Sequence, residues 1–575
     1  MRGAYRPRGV GISQSLMMTR TQEVTPRKTE GAASASSRLE SWIRRHFQLT
    51  AIAVLIVGLA LRLREAWGTF LNPDEALHYF IANRNSWALA YQASLTMAHP
   101  PLMIFVLHWW RILGTSEFML RMPAVLAGTA FCWMLFQWLT MIFGRDVGMF
   151  GLLFSALLPA MVSLSAEVRQ YEFLLLFQVS AAYFLELAFR DRSPAMLLVS
   201  AVFLYLAMLS HYSAFLFVAA FGVYSAWYLL RQFSARPFAR GMLVAWLVMQ
   251  IGAVGISVIL YVTQISKVKE TAVAEQAVDT WLSRSYFHPG HGSWLLFVVA
   301  RTFSVFQYIF EQAAVGDIAT LIFVAGVIWL ARGRIRPTHP GPSPRQIATF
   351  LVLPFVLNCV VALADLYPYG GTRHAAFLVI FALAGISLGI ARIAAGRTGR
   401  AVALAVLIVL LCAFVRPRHP RYFTRAEHSR EQMDRALAFI RTQIPVSDPI
   451  FADYETSLTL SYYLCAHKPV AYDDSIASFV VFHCDGRRII STVPDQWTFL
   501  PDKFPGQWNE LVRNGRLAPG ETVWVGEAGW LTNLASGLQH QSPQFQGLQT
   551  YTFGPHIQFF KLTVGQAIPA TAVSH

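Results

Sequence analysis

Apolar residues in this chain fall into long uninterrupted blocks separated by short polar stretches. The blocks lie near 47–63, 121–143, 147–164, 173–189, 195–210, 213–230, 242–264, 317–331, 347–365, 374–392 and 400–415. A block of roughly twenty apolar residues crosses ~30 Å of hydrocarbon, and a helix satisfies every backbone amide within the segment. The alternation of a barrel strand is not seen. Two further blocks behave differently. Residues 102–113 would form only ~18 Å of helix at ~1.5 Å per residue, too short to cross. Residues 294–311 place Arg301, Ser304, Tyr308 and Glu311 on one helical face, which predicts a helix lying in the interface. The pattern predicts an all-α polytopic membrane domain of about eleven spans plus interfacial helices.

Charge then orients the spans. With Arg44 and Arg45 inside, the loops carrying Arg145, Arg190 with Arg192, Arg231 to Arg240, Arg332 to Arg345, and Arg397 with Arg400 all fall on the same side, as the bias of Lys and Arg toward cytoplasmic loops requires. If 102–113 alone crossed, the later basic loops would flip outward. Loop 64–120, the Glu167–Tyr171 turn, the His211–Tyr212 turn, loop 265–293 and the Leu366–Arg373 turn then emerge on the outer face, together with everything after residue 415. The expectation is a multi-pass protein of a bacterial-type inner or plasma membrane with a cytoplasmic N-terminus. Composition agrees: 55% hydrophobic and 14% charged residues, against roughly a quarter charged in soluble proteins. The net charge of +15 is explained by these loops, and no aromatic-plus-basic surface suggests nucleic acid as a partner.

Residues 1–46 are polar and Arg-rich without a long apolar core. They read as a disordered basic cytosolic tail rather than a cleavable signal, with Met17 or Met18 as alternative starts. Residues 47–415 form the membrane domain. Residues 416–575 have the composition of a soluble domain, predicted to be a small extracytoplasmic α/β unit. In it, 426–443 carries a helical stripe of Met433, Leu437 and Ile440; PIFADY, KPVAYDD, RRIISTV, ETVWVGEAG and YTFGPHIQFFKLTV read as strands, and WLTNLASGLQ as a helix. No nucleophile motif or phosphate loop occurs there. Cys132, Cys359 and Cys412 read as packing residues, whereas Cys465 and Cys484 are candidates for a disulfide in an oxidising compartment.

Candidate chemistry gathers on the outer side. Asp74 and Glu75 begin a short helix at Pro73, where carboxylates also serve as ordinary caps worth roughly 0.3–1 kcal/mol. The same loop supplies His78, His99 and the rigid Pro100–Pro101 pair. A second turn, SAEVRQYEF, supplies Glu167, Arg169 and Tyr171. Carboxylates on two loops with an arginine and histidines suit proton abstraction beside an anionic group. His211 and Tyr212 read as pocket walls or a hydrogen-bonded interface pair. His288 and His291 flank a flexible segment, HPGHGSW, that reads as a lid.

Taken in order, PDE after the first span, HPPL, FMLRMPAVLAG, EVRQY, SHY at 210–212 and YPYGGTRHAAF resemble the GT-C glycosyltransferases, in particular the protein mannosyltransferase and aminoarabinose-transferase group. The resemblance covers about residues 45–415. It implies a GT-C fold and transfer of a sugar from a polyprenyl-phosphate carrier to a lipid, glycan or protein acceptor on the outer (periplasmic) face. It also implies Asp74 as the general base of an inverting attack, with Glu75 orienting the site. A phosphate leaving group calls for cations: Arg169 and Arg373 first, because a guanidinium matches phosphate bidentately, then His374, Lys267 and Lys269. Interfacial anchoring for Arg373, and a local ion pair with Glu167 or Glu172 for Arg169, are the plainer readings. Some relatives use divalent ions, which makes Glu75, His99 and Glu167 candidate ligands, although no zinc spacing occurs. The alternatives are a polytopic transporter or lipid flippase, which should carry its ionisable groups at mid-membrane, and an inactive carrier-binding relative.

Overall fold

The computed structural model describes residues 42, 45–233, 240–268, 278, 281–290, 292–396, 399, 401–402, 405–406, 408–410, 427–468, 472–476, 478–530, 532–541 and 548–565. The candidate site lies wholly within the compact unit 51–575. The protein is a multi-pass helical membrane protein with a C-terminal mixed α/β sheet.

Each apolar block from 47–63 to 374–392 coincides with helix. Among the described residues, eight helices are long and apolar enough to cross, or nine if the bent pair Arg145–Leu157 and Pro159–Ser165 counts as one span. Two places separate this from the expected eleven. The helix at Pro194–Ser210 has 17 residues, about 25 Å, short of a full crossing. Within the 400–415 block, residues 400, 403–404, 407 and 411–415 lie outside the described residues, as do Cys412, Lys269 and His291.

The bent pair turns by 60° at Leu158–Pro159, because proline cannot donate a helical hydrogen bond and its ring clashes with the preceding turn. The carbonyls exposed at the break are taken by buried Arg62, which donates to Ser155 O at 2.8 Å and Ala156 O at 3.0 Å, and to the Ser165 hydroxyl at 2.9 Å. One arginine in the first long helix therefore fixes the element leading into the Glu167–Tyr171 turn. Gly128 lets that element approach closely: a Cβ there would lie 2.3 Å from Ser165 Oγ.

Residues 102–113 form a short helix, Leu102–Trp110, and a 3₁₀ turn, Arg111–Leu113. Trp294–Phe310 is a 17-residue helix whose polar face meets the Leu366–Arg373 turn. Ser304 Oγ accepts from Gly371 N at 2.9 Å, and a Cβ on Gly371 would lie 2.3 Å from Ser304 O. Glycine at 371 thus permits the contact that seats Arg373.

The C-terminal sheet has seven strands: β1 (Ile450–Ala452), β2 (Asp474–Ile476), β3 (Phe479–Cys484), β4 (Arg487–Thr492), β5 (Thr522–Ala528), β6 (Thr550–Gly554) and β7 (Ile557–Thr563), in the order β2-β3-β4-β1-β5-β7-β6. β1 pairs parallel with β4 and β5, and the other pairings are antiparallel. Met433, Leu437 and Ile440 are buried on the Arg430–Gln443 helix, as their spacing predicts. KPVAYDD is corrected: the strand begins only at Asp474, and residues 469–471 lie outside the described residues. The helices Tyr454–Leu464 and Phe504–Arg513 escape the sequence reading. Cys465 and Cys484 are joined in a disulfide, with Cα atoms 4.8 Å apart. Phe70 packs into the core of the sheet domain, and Leu458 and Tyr462 pack into that of the first loop, so sheet and loop share cores.

Candidate active site

The Pro73–Ala82 helix is capped by Asn72, whose side chain accepts from Glu75 N at 2.9 Å while Glu75 Oε2 accepts from Asn72 N at 3.0 Å. This reciprocal box fixes the first turn. Glu75 is fully buried and doubly bonded to Arg121, at 2.8 Å from Nε to Oε1 and 2.7 Å from Nη2 to Oε2, and Oε1 also accepts from Val168 N at 2.7 Å. Arg121 donates in addition to the carbonyls of Ala66, Thr69 and Phe70 at 3.0, 2.8 and 2.7 Å. One guanidinium thus ties the end of the first span, the Asp74 helix and, through Glu75, the Glu167–Tyr171 turn. Glu75 faces this cradle rather than the cavity, so it can orient the site but not touch a substrate.

Asp74 points the other way. Its Oδ2 accepts from Arg169 Nη1 at 2.6 Å and Arg373 Nη2 at 2.8 Å. Burial by itself would raise the pKa of this carboxyl, but Arg169 and then Arg373 outweigh it and hold it well below the ordinary carboxylate range. Glu167, 4% exposed, lies 4.0 Å from Arg373 Nη1, and its Oε2 has no hydrogen-bond partner. Burial pushes its carboxyl up to about 7, partly opposed by Arg373. The local Arg169 pairing with Glu167 or Glu172 is replaced by the longer-range pair with Asp74, and Arg373, besides beginning a helix, pairs with Asp74 and lines the cavity.

His78 and His99 stack with ring centroids 4.6 Å apart. Each places Nδ1 against a backbone carbonyl, of Asp74 and Pro100 respectively, so Nδ1 carries the proton. Both Nε2 atoms are buried without a hydrogen-bond partner. Burial lowers both pKa values, that of His99 to about 4, so the pair is neutral at pH 7.

These groups line a cavity of about 1150 Å³ whose wall includes Asp74, His99, Arg169, Arg373 and His374 from the membrane part and Trp497 from the sheet domain. Trp530 also lines it, with the Arg373 guanidinium 5.1 Å from its ring. Tyr171 lies behind Arg169, its ring 5.6 Å from the guanidinium, and His211 packs against Tyr171 at 5.3 Å. Tyr212 is not brought in: its hydroxyl donates to Gln264 at 3.0 Å. Lys267 does not line the cavity, and His288 is exposed with Nε2 3.1 Å from Ser283 O.

The trio considered for a metal does not fit one. Both oxygens of Glu75 are committed to Arg121, Val168 and Asn72, and Glu75, His99 and Glu167 form no ligand group among the described residues. The residues missed by sequence reasoning are Arg62, Arg121, Trp497 and Trp530. Arg62 and Arg121 carried a signal, a charge set among apolar residues of a long helix, which calls for a buried partner.

A multi-pass membrane protein with two arginines converging on one carboxylate beneath a sheet domain is the class so defined. Residues 98–262 match the family model described as dolichyl-phosphate-mannose-protein mannosyltransferase. This agrees with the family resemblance over that segment, which is under a third of the chain. His99, Glu167 and Arg169 lie inside the match, whereas Asp74 and Arg373 lie outside it. No curated protein matches the chain. Among solved structures, the chain is similar to ArnT from Cupriavidus metallidurans bound to undecaprenyl phosphate, at 15% identity and a TM-score of 0.47 over 92% of this chain and 99% of that one. It is also similar to the oligosaccharyltransferase AglB from Archaeoglobus fulgidus with an inhibitory peptide and a dolichol-phosphate, at 12% identity and 0.46 over 92% and 76%. With the A. fulgidus oligosaccharyltransferase complexed with Zn and sulfate, the figures are 14% and 0.42, and the chain covers 69% of its own length but only 55% of the other.

Proposed function

We propose that the chain transfers a sugar from a polyprenyl-phosphate carrier to an acceptor at the outer face of the membrane, with inversion and with Asp74 as general base. The observation that carries this reading is the convergence of Arg169 and Arg373, from turns two hundred residues apart in sequence, on Asp74 Oδ2 at 2.6 and 2.8 Å. Two guanidinium groups aimed at one anion suit a phosphate. The donor phosphate takes over the N–H groups now given to Asp74, and the carboxylate, released from both arginines, regains basicity toward its ordinary pKa of ~4. An acceptor O–H or N–H then passes its proton to Asp74 as its heavy atom attacks the anomeric carbon. The bond from that carbon to the phosphate oxygen breaks, and its electron pair leaves with polyprenyl phosphate, stabilised by the arginines.

The outer location is supported by the basic loops at the opposite helix ends and by the Cys465–Cys484 disulfide, which belongs in an oxidising compartment. The sheet domain walls the cavity with Trp497 and Trp530 and is assigned to acceptor contact. One observation favours a second base: Glu167, with its carboxyl near pH 7 and an oxygen that accepts no hydrogen bond, suits proton abstraction at neutral pH. The experiment is an assay of membranes containing the protein against a panel of polyprenyl-phosphate sugars. Release of polyprenyl phosphate with sugar transfer is expected. Movement of solute or lipid without any transfer would instead make the protein a transporter or flippase.

A further inference from the structure

Away from the transfer site, Glu427, His428 and His556 meet where the segment entering the Arg430–Gln443 helix touches the turn between β6 and β7. One ligand atom from each lies within 4.8 Å of the others. The two imidazoles stack with centroids 4.0 Å apart and planes 15° from parallel, and His556 Nε2 is 3.6 Å from Glu427 Oε2. His428 is 2% exposed, and His556 Nδ1 is buried without a hydrogen-bond partner. Two imidazoles and one carboxylate, drawn from segments far apart in sequence, make the donor set of a zinc-type site with a further position for water.

We propose that Glu427, His428 and His556 bind a zinc-class divalent cation. The ion joins two segments of the sheet domain, each of which touches the surroundings of the transfer site. On one side, the His428 carbonyl accepts from Phe70 N at 3.1 Å, and Ser429 bridges to Thr69, directly before the Asn72 cap of the Asp74 helix. On the other, the His556 carbonyl accepts from Gly529 N at 3.1 Å, beside Trp530, whose ring covers Arg373 and lies 6.0 Å from the His428 ring. The role is structural: the ion pins the segment that pairs with Phe70 and Thr69 to the β6–β7 turn and has no contact with the reacting groups.

The test uses the full-length protein in nanodiscs, stripped with a chelator and titrated with Co²⁺ as an optical probe, then with Zn²⁺. Wild type is expected to develop a saturable visible absorption that zinc displaces, and zinc is expected to raise its melting temperature. Glu427→Gln, and His556→Phe, which keeps a ring against His428, should each weaken cobalt binding at least ~10-fold and abolish the zinc-dependent shift. Both should melt like wild type when metal-free. No cobalt uptake by wild type, or undiminished uptake by both variants, overturns the proposal. Neither readout depends on sugar transfer.

Discussion

Two neighbouring carboxylates, Asp74 and Glu75, sit in contrasting surroundings. Glu75 is enclosed, and its acceptor positions are filled by Arg121, Val168 N and Asn72 N. Asp74 shares one oxygen between two arginines at the edge of a cavity, with its side chain 17% exposed. The first arrangement cannot open without stranding a buried charge. The second can exchange its anion for another of better geometry, because Arg373 is 30% exposed and solvent can reach the pair. Adjacent residues on a helix point in different directions, so one turn presents a fixed anchor and a displaceable anion together.

The largest effect that would break this contrast is expected at the anchor. Arg121→Met leaves Glu75 buried without its cation and should cost about 3–5 kcal/mol, read as loss of the folded species in detergent unfolding. If that variant were as stable as wild type, the anchor would be dispensable. At the displaceable site, Arg169→Lys and Arg373→Lys lose the forked geometry while keeping charge. Each should raise the donor KM about 10–100-fold with little change in unfolding, following about 1.5–3 kcal/mol for hydrogen bonds to charged groups.

The pH dependence sharpens the choice of base. The low pKa of Asp74 means that its stabilising pairs are present above its ordinary value near 3.8 and are lost as pH falls through the lowered one, so it contributes no neutral limb to a rate profile. Glu167 behaves oppositely. Its folded pKa of about 7 exceeds the ordinary 4.5, so its burial destabilises the protein progressively as pH rises between those values and levels off above them. Glu167→Gln should therefore gain stability relative to wild type across that window, while kcat/KM keeps its shape. Removal of a limb near pH 7 by this variant would move the base to Glu167. The smallest effect is expected at Tyr212→Phe, within about twofold in rate, since its hydroxyl bonds Gln264 outside the cavity.

Much of this was legible in the sequence because the signals are local. Block length gave the helices, and the Pro73 start placed Asp74 in a first turn. β3 escaped the reading even though its apolar run ends in Asp485–Gly486, a local hairpin sign with both residues at positive φ. What pairs with what was not legible. Glu75 and Arg121 are 46 positions apart and Asp74 and Arg373 are 299 apart, and no periodicity reports such distances. The opposite orientations of Asp74 and Glu75 follow from helix geometry, but which one faces the cavity depended on where Arg121 lay. Arg62 was hidden for the same reason: its role exists only because Pro159 breaks a helix packed beside it.

The most direct measurement is single-turnover sugar transfer by wild type and Asp74→Asn in the same membranes, with donor binding and thermal unfolding recorded in parallel. Loss of about 10²–10⁴-fold in the transfer step is expected, with donor still bound and the protein folded. Transfer by the variant at the wild-type rate would contradict a proton-accepting role for Asp74.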